Sequence, residues 1–120
     1  MGVYHHIQVS ERKAGAKPVA VVEILDEKLW APAALQDLAR ELTSLLEEGP
    51  TTILLDLARV EYISSAALNR LINFHKRVQT AGGDLKLCNL RQSVEDVFVA
   101  TRFNQILDIH ETPTDALAAF

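Results

Sequence analysis

Apolar and polar residues change period several times along the chain, and each change marks an element. Val3-Tyr-His-His-Ile-Gln-Val9 and Val19-Ala-Val-Val-Glu-Ile-Leu25 are rich in the β-branched residues that strands favour. The polar segment from Ser10 to Lys17 is too short for a crossover, so these strands are expected to pair antiparallel as a hairpin. From Leu35 the period lengthens. Leu35, Leu38, Leu42, Leu45 and Leu46 line one face of a helix that stops before Gly49-Pro50. Ile53-Leu-Leu-Asp-Leu57 is nearly unbroken, as a central strand covered on both faces should be. A second helical stripe of Leu68, Leu71, Ile72, His75 and Val78 ends at Gly82-Gly83.

The last third repeats the alternation. Asp84-Leu-Lys-Leu-Cys-Asn89 reads as a strand nearer the sheet edge, and Ser93-Val-Glu-Asp96 has the spacing of a capping box opening a helix through Val94, Val97 and Phe98. Ile106-Leu-Asp-Ile109 is expected to be a short last strand, and Thr112-Pro113-Thr114-Asp115 to cap a terminal helix holding Ala116, Leu117 and Phe120. Pro18, Pro32, Pro50 and Pro113 each stand where an element begins, and none interrupts one. The order β-β-α-β-α-β-α-β-α predicts an α/β domain: a hairpin start, then β-α repeats with right-handed crossovers, building a mixed, mostly parallel sheet flanked by helices.

Composition narrows the function. With 120 residues, 48% of them hydrophobic, the chain reads as a single domain over residues 1–120, without repeat, linker or low-complexity tract. A net charge of −4 lacks the basic field of a phosphate-backbone binder, which disfavours nucleic acid and favours a protein partner or small ligand. Cys88 is the one cysteine, so no disulfide forms within the chain, and a reducing cytoplasm is the expected compartment. The N-terminus has no basic start with an apolar stretch behind it, and Glu23, Asp26 and Asp56 cut the apolar runs well short of a bilayer span.

Catalytic chemistries find little support, and no cofactor is expected. Ser64 and Ser65 could act as nucleophiles, but no Gly-x-Ser-x-Gly elbow surrounds them, and ten residues of helix put His75 roughly 15 Å from Ser65. His5 and His6 would point to opposite faces of a strand, while His75 and His110 have no neighbour at metal-ligand spacing. Gly82-Gly83 lacks the context of a phosphate cradle. Cys88 reads as a buried, inert thiol. Asp56 ends a buried strand, where an acid either marks a site at the carboxyl edge of a parallel sheet or caps the following turn.

One stretch carries more. An apolar strand ending in Asp56, then Val60, an aromatic-Ile pair (Tyr62-Ile63), a Ser64-Ser65 helix start, the Gly82-Gly83 turn and another strand together resemble the STAS domain of anti-sigma factor antagonists. In that family the turn before the helix typically reads Asp-Ser-Ser-Gly-Leu, and the serine after the aspartate accepts phosphate from an anti-sigma factor kinase. Carried over by position, Ser64 falls on the aspartate, Ser65 on the phosphoacceptor, Ala66 on the second serine and Ala67 on the glycine; Ser65 and Leu68 match.

The resemblance implies a non-enzymatic regulator that binds an anti-sigma factor, itself a serine protein kinase, and is switched by phosphorylation at Ser65. The departures matter physically. Ser64 supplies a neutral hydroxyl where a fixed charge is usual, and Ala67 adds a methyl group where a partner would need close backbone approach. They leave open a second reading, an unphosphorylated accessory subunit of a transport complex or a signalling scaffold.

A simpler role for Ser64-Ser65 is N-capping, one hydroxyl accepting a backbone N–H and the other facing solvent. Trp30 falls between the second strand and first helix, at the sheet edge that also carries Ser65. It is expected either to anchor an interface or to pack as a staple under the helix. Asn69 and Arg70 follow Ser65 by four and five residues and should face solvent near the same partner surface.

Overall fold

The computed structural model describes residues 4–120. Its centre is the apolar run anticipated above: Ile53, Leu54 and Leu55 are each 0% exposed within β4 (Thr52–Asp56). β4 pairs parallel with β2 (Lys17–Ile24) on one side and β6 (Asp84–Cys88) on the other. β1 (Ile7–Ala14) joins antiparallel to β2 and β7 (Asp108–His110) parallel to β6, giving the order β1-β2-β4-β6-β7. The alternation of strand side chains then splits the core in two. Val22, Ile24, Ile53, Leu55, Leu85 and Leu87 meet α1 (Pro32–Glu47), α2 (Ser65–Thr80) and α3 (Gln92–Ala100). Val19, Leu54 and Cys88 point the other way, under α4 (Pro113–Ala119).

Helix boundaries follow local chemistry. Pro32 opens α1 and Pro113 opens α4, where Thr112 Oγ1 accepts the Asp115 N–H at 3.1 Å. At the end of α2, Gly82 takes a φ of +77°. Gly83 leaves no room for a side chain, since an added Cβ would lie 2.1 Å from the Thr51 carbonyl oxygen. The α2 stripe buries Leu68, Leu71, Ile72 and Val78 as expected and adds Phe74, while His75 is half-buried.

Several expectations need correction. The first strand does not stop at Val9; it runs to Ala14, through residues whose side chains are almost all exposed, because an edge strand needs backbone partners more than buried side chains. The turn is therefore only Gly15-Ala16, with Gly15 at φ +63° in the position that a tight hairpin requires. His5 and His6 precede the strand and donate their backbone N–H groups to Glu41 Oε1 at 3.0 and 2.9 Å; Val3 lies outside the described residues. Pro18 sits inside β2, but before its parallel ladder starts at Ala20, so its missing N–H costs that ladder nothing.

Two short strands, β3 (Lys28–Leu29) and β5 (Tyr62–Ile63), pair parallel in a second sheet where only turns were expected. Ser93 makes no capping box: α3 starts at Gln92, and the Ser93 hydroxyl donates to the Glu61 carbonyl at 2.8 Å. The last strand begins at Asp108 and not Ile106, which a 3₁₀ turn over Phe103–Gln105 leaves 51% exposed.

Lys86, 6% exposed on the α4 side of the sheet, is held by Asp108 and, at 3.8 Å, by Asp84, with its ammonium 5.0 Å from the Phe120 ring centre. Burial pushes the Asp108 carboxyl up, but the hydrogen bond and charge of Lys86, together with His110, more than offset this and hold it below the usual aspartate range.

Leu55→Asp should abolish cooperative folding, because it places an unpaired charge among 0%-exposed neighbours; a wild-type-like melt would contradict the core described here. Since the folded pKa of Asp108 is depressed, its contribution to stability is present above the unfolded value and lost as pH falls through the folded one. Asp108→Asn should therefore flatten the acid limb of the stability profile below about pH 4. Denaturant melts between acid and neutral pH measure this, and an unchanged slope contradicts it.

Candidate functional site

Parallel pairing delivers the carboxyl ends of β2, β4 and β6 to one edge, and the segments that leave them are stitched together there. Beyond β4 the Leu57 N–H donates to the Cys88 carbonyl at 3.1 Å. Asp56 Oδ1 accepts the Ala58 N–H at 2.9 Å and the Asn89 side-chain amide at 3.2 Å, and Asn89 holds a φ of +58°. Arg91 Nε donates to the Ala58 carbonyl at 2.8 Å, and Ser93 holds Glu61. The loop into α2 is thus pinned from the start of α3.

Asn89, Arg91 and Ser93 are positioning residues; the sequence suggests only a strand end at Asn89 and a cap at Ser93, and gives Arg91 no role. Their alternate spacing directly after a strand was the available signal. Asp56 caps its turn, one of the two roles anticipated; it has no hydrogen bond to Ser64 or Ser65 among the described residues. Burial pushes the Cys88 thiol up, the Asp56 charge adds to it, and together they raise it to about 12, as an inert cysteine requires.

The small β3–β5 sheet aims the helix start. Leu29 and Ile63 pair and are buried; the Glu61 and Tyr62 N–H groups donate to the Glu27 carbonyl, and the Ser64 N–H donates to the Leu29 carbonyl at 2.9 Å. Ser64, extended at φ −88° and ψ 165°, is the N-cap: its Oγ accepts the Ala67 N–H at 3.2 Å. Ser65 is the first helical residue, exposed, and its hydroxyl makes no hydrogen bond among the described residues. One serine caps and the other is free, as the simpler reading required.

Ala67 does not line the surface. It is 2% exposed and packs in the core, so its methyl group meets the protein interior and not a partner's backbone.

Trp30 emerges from β3 with 59% of its surface exposed, and Tyr62, its neighbour from β5, with 51%. With Lys28 they line a shallow cavity of about 340 Å³. The staple alternative for Trp30 is excluded by this exposure. Asn69, one turn along α2 from Ser65, is exposed, and so is Arg70, which lies further round the helix in a groove shared with α1. A larger depression of about 570 Å³, between Lys17-Pro18 and Pro50-Thr51, lies at the opposite end of the parallel strands. Among the described residues no group of three His, Cys, Asp or Glu side chains could hold a metal ion, and no helix is long and apolar enough to cross a membrane.

Known proteins share both the sequence and this architecture. BtrV of Bordetella bronchiseptica, assigned as an anti-sigma factor antagonist, is 34% identical over 88 residues, spanning 73% of this chain and 76% of its own. The crystal structure of a Thermotoga maritima protein with the same assignment superposes with a TM-score of 0.78 at 24% identity, covering 94% of this chain and 92% of its own. The Bacillus cell fate determinant SpoIIAA in its phosphorylated form superposes with a TM-score of 0.64 at 15% identity, covering 92% and 96%. Residues 32–116, from the first turn of α1 into α4, match the STAS domain, and the chain belongs to that family.

Proposed function

We propose that this STAS domain is an anti-sigma factor antagonist whose unmodified Ser65 face binds an anti-sigma factor, and that phosphorylation of Ser65 by that serine kinase releases it. The observation that carries the reading is the division of labour at the start of α2. Ser64 satisfies the helix cap, which leaves the Ser65 hydroxyl exposed and uncommitted, on a backbone pinned by β3, β5 and α3. A kinase could reach it without unfolding the turn. The relatives assigned as anti-sigma factor antagonists and the existence of a phosphorylated structure in the same fold support the same reading.

The switch is electrostatic. A phosphoserine adds about −1.5 to −2 charges, and at the first residue of a helix these lie near unpaired backbone N–H groups and the positive end of the dipole, so the isolated domain tolerates them. α2 has no acid in its first turn to oppose them. Against a partner the balance reverses, because the same charge must be desolvated inside an interface built around Trp30, Tyr62 and Asn69. Ser64 in place of the usual aspartate removes a fixed negative charge beside the acceptor, so the phosphate would supply a larger fraction of the local negative charge.

Incubation with the cognate kinase and ATP, followed by peptide mapping, should place phosphate on Ser65 and none in Ser65→Ala. Ser64→Ala should lose about 1 kcal/mol of stability with the cap yet still be modified at Ser65. Phosphate on Ser64 would show that the cap and the acceptor have been assigned the wrong way round.

Trp30→Ala should weaken partner binding by more than about 1 kcal/mol while melting stays nearly unchanged, since the indole is mostly exposed. Calorimetry and a thermal melt on the one variant decide. Unchanged affinity removes the anchor, and a loss of about 3–5 kcal/mol in stability would mark a core residue instead.

A further inference from the structure

The charge on α2 is distributed against the trend of the chain. Within a protein of net charge −4, its sixteen residues carry Arg70, Lys76 and Arg77 and no aspartate or glutamate. Arg70 and Arg77 turn toward α1, where they share with Arg40 a groove of about 380 Å³. Phe74, 3% exposed, also borders the groove, Asn73 adds an amide, and Glu47 is the one acid in its walls among the described residues. Arg40 is partly neutralised by Asp37 at 3.2 Å, whereas Arg70 and Arg77 have no ion pair among the described residues.

We infer that the α1–α2 groove is a second recognition surface, and that it takes an acidic helical segment of a protein partner. The spacing selects the occupant. Arg70 and Arg77 are seven residues apart, so their backbones lie about 10 Å apart along the helix axis, two turns. That separation suits two carboxylates repeated every second turn on a facing helix better than one small anion, which the two arginines would have to converge to hold. Guanidiniums left unpaired on an otherwise acidic molecule also attract an acidic partner and repel a basic one, which supplies selectivity and encounter rate.

The inference rests on reading α2 as the partner-facing helix and extends it. The Ser65 end would carry the switch, and the groove, further along the helix, a contact that phosphorylation leaves in place.

The test uses the isotope-labelled full chain titrated at low salt with a synthetic amphipathic helix bearing glutamates two turns apart, alongside its glutamine counterpart and inorganic tripolyphosphate. The glutamate peptide should shift amide resonances within residues 36–47 and 70–77, weaken with added salt, and lose at least about tenfold in affinity in R70E/R77E with an unchanged melt. Should the double reversal fold poorly, R70Q/R77Q should show the same loss in milder form. Ser65→Ala must bind the peptide like the parent chain, so failure of the phosphorylation switch and failure of the groove are read separately. Equal binding of the glutamine peptide, unchanged affinity in the arginine variants, shifts confined to other residues, or saturation by tripolyphosphate without peptide binding would each overturn the proposal.

Discussion

The parallel pairing of β4 between β2 and β6 is the constraint on which the rest of the structure depends. A strand buried on both faces can satisfy its backbone only through its two neighbours, and Ile53, Leu54 and Leu55 leave no polar side chain to help. Because the three strands run in one direction, their exits must meet at one edge. The segments carrying Trp30, Ser65 and Asn89 come from distant parts of the sequence, and this pairing places them together. Asp56, at the end of β4, then fixes the turn through Ala58 and Asn89. The site is therefore an outcome of the core, and damage to β4 would remove both.

How much of this was legible depended on which physical signal each element carries. The helices with wide apolar stripes announced themselves, since burial repeats at the helical period in Leu35, Leu38, Leu42 and Leu45 and again in Leu68, Leu71 and Val78. So did the helix start at Pro32 and the cap at Thr112, where the terminal residues act locally. β1 was cut short because its second half is exposed and polar; its pairing comes from backbone groups that leave no mark on side-chain pattern. The β3 and β5 strands are two residues each, too short for any period, and exist because Leu29 and Ile63 are buried side by side. Ser93 has the spacing of a capping residue, yet it already lies inside α3, which starts at Gln92, and its hydroxyl donates to the Glu61 carbonyl of a distant loop. Tertiary contact overrode the local rule there.

At the site itself the sequence carried the identities better than the roles. Ser64 and Ser65 could be named from their place before an apolar stripe, but which one caps depends on whether the chain is still extended at Ser64, and that is set by the Leu29 carbonyl. The burial of Ala67 follows from helix phase and not residue type, since it stands one turn before Leu71 on the buried stripe. Arg70 and Arg77 belong together only once α1 lies against α2. The resulting surface joins a small uncharged helix start, an exposed aromatic pair and a cationic flank. In the proposed switch, a charge added at the first of these would change affinity while the other two keep their chemistry.

The central claim is that a charge on Ser65 controls partner binding, and calorimetric titration of a single anti-sigma factor into two preparations of the intact chain tests it most directly. One preparation is unmodified; the other carries stoichiometric phosphate on Ser65, with folding of both checked by melting. The predicted result is a loss of about thirtyfold or more in affinity on phosphorylation, corresponding to at least about 2 kcal/mol, with both preparations fully folded. Equal affinity of the two would contradict the switch.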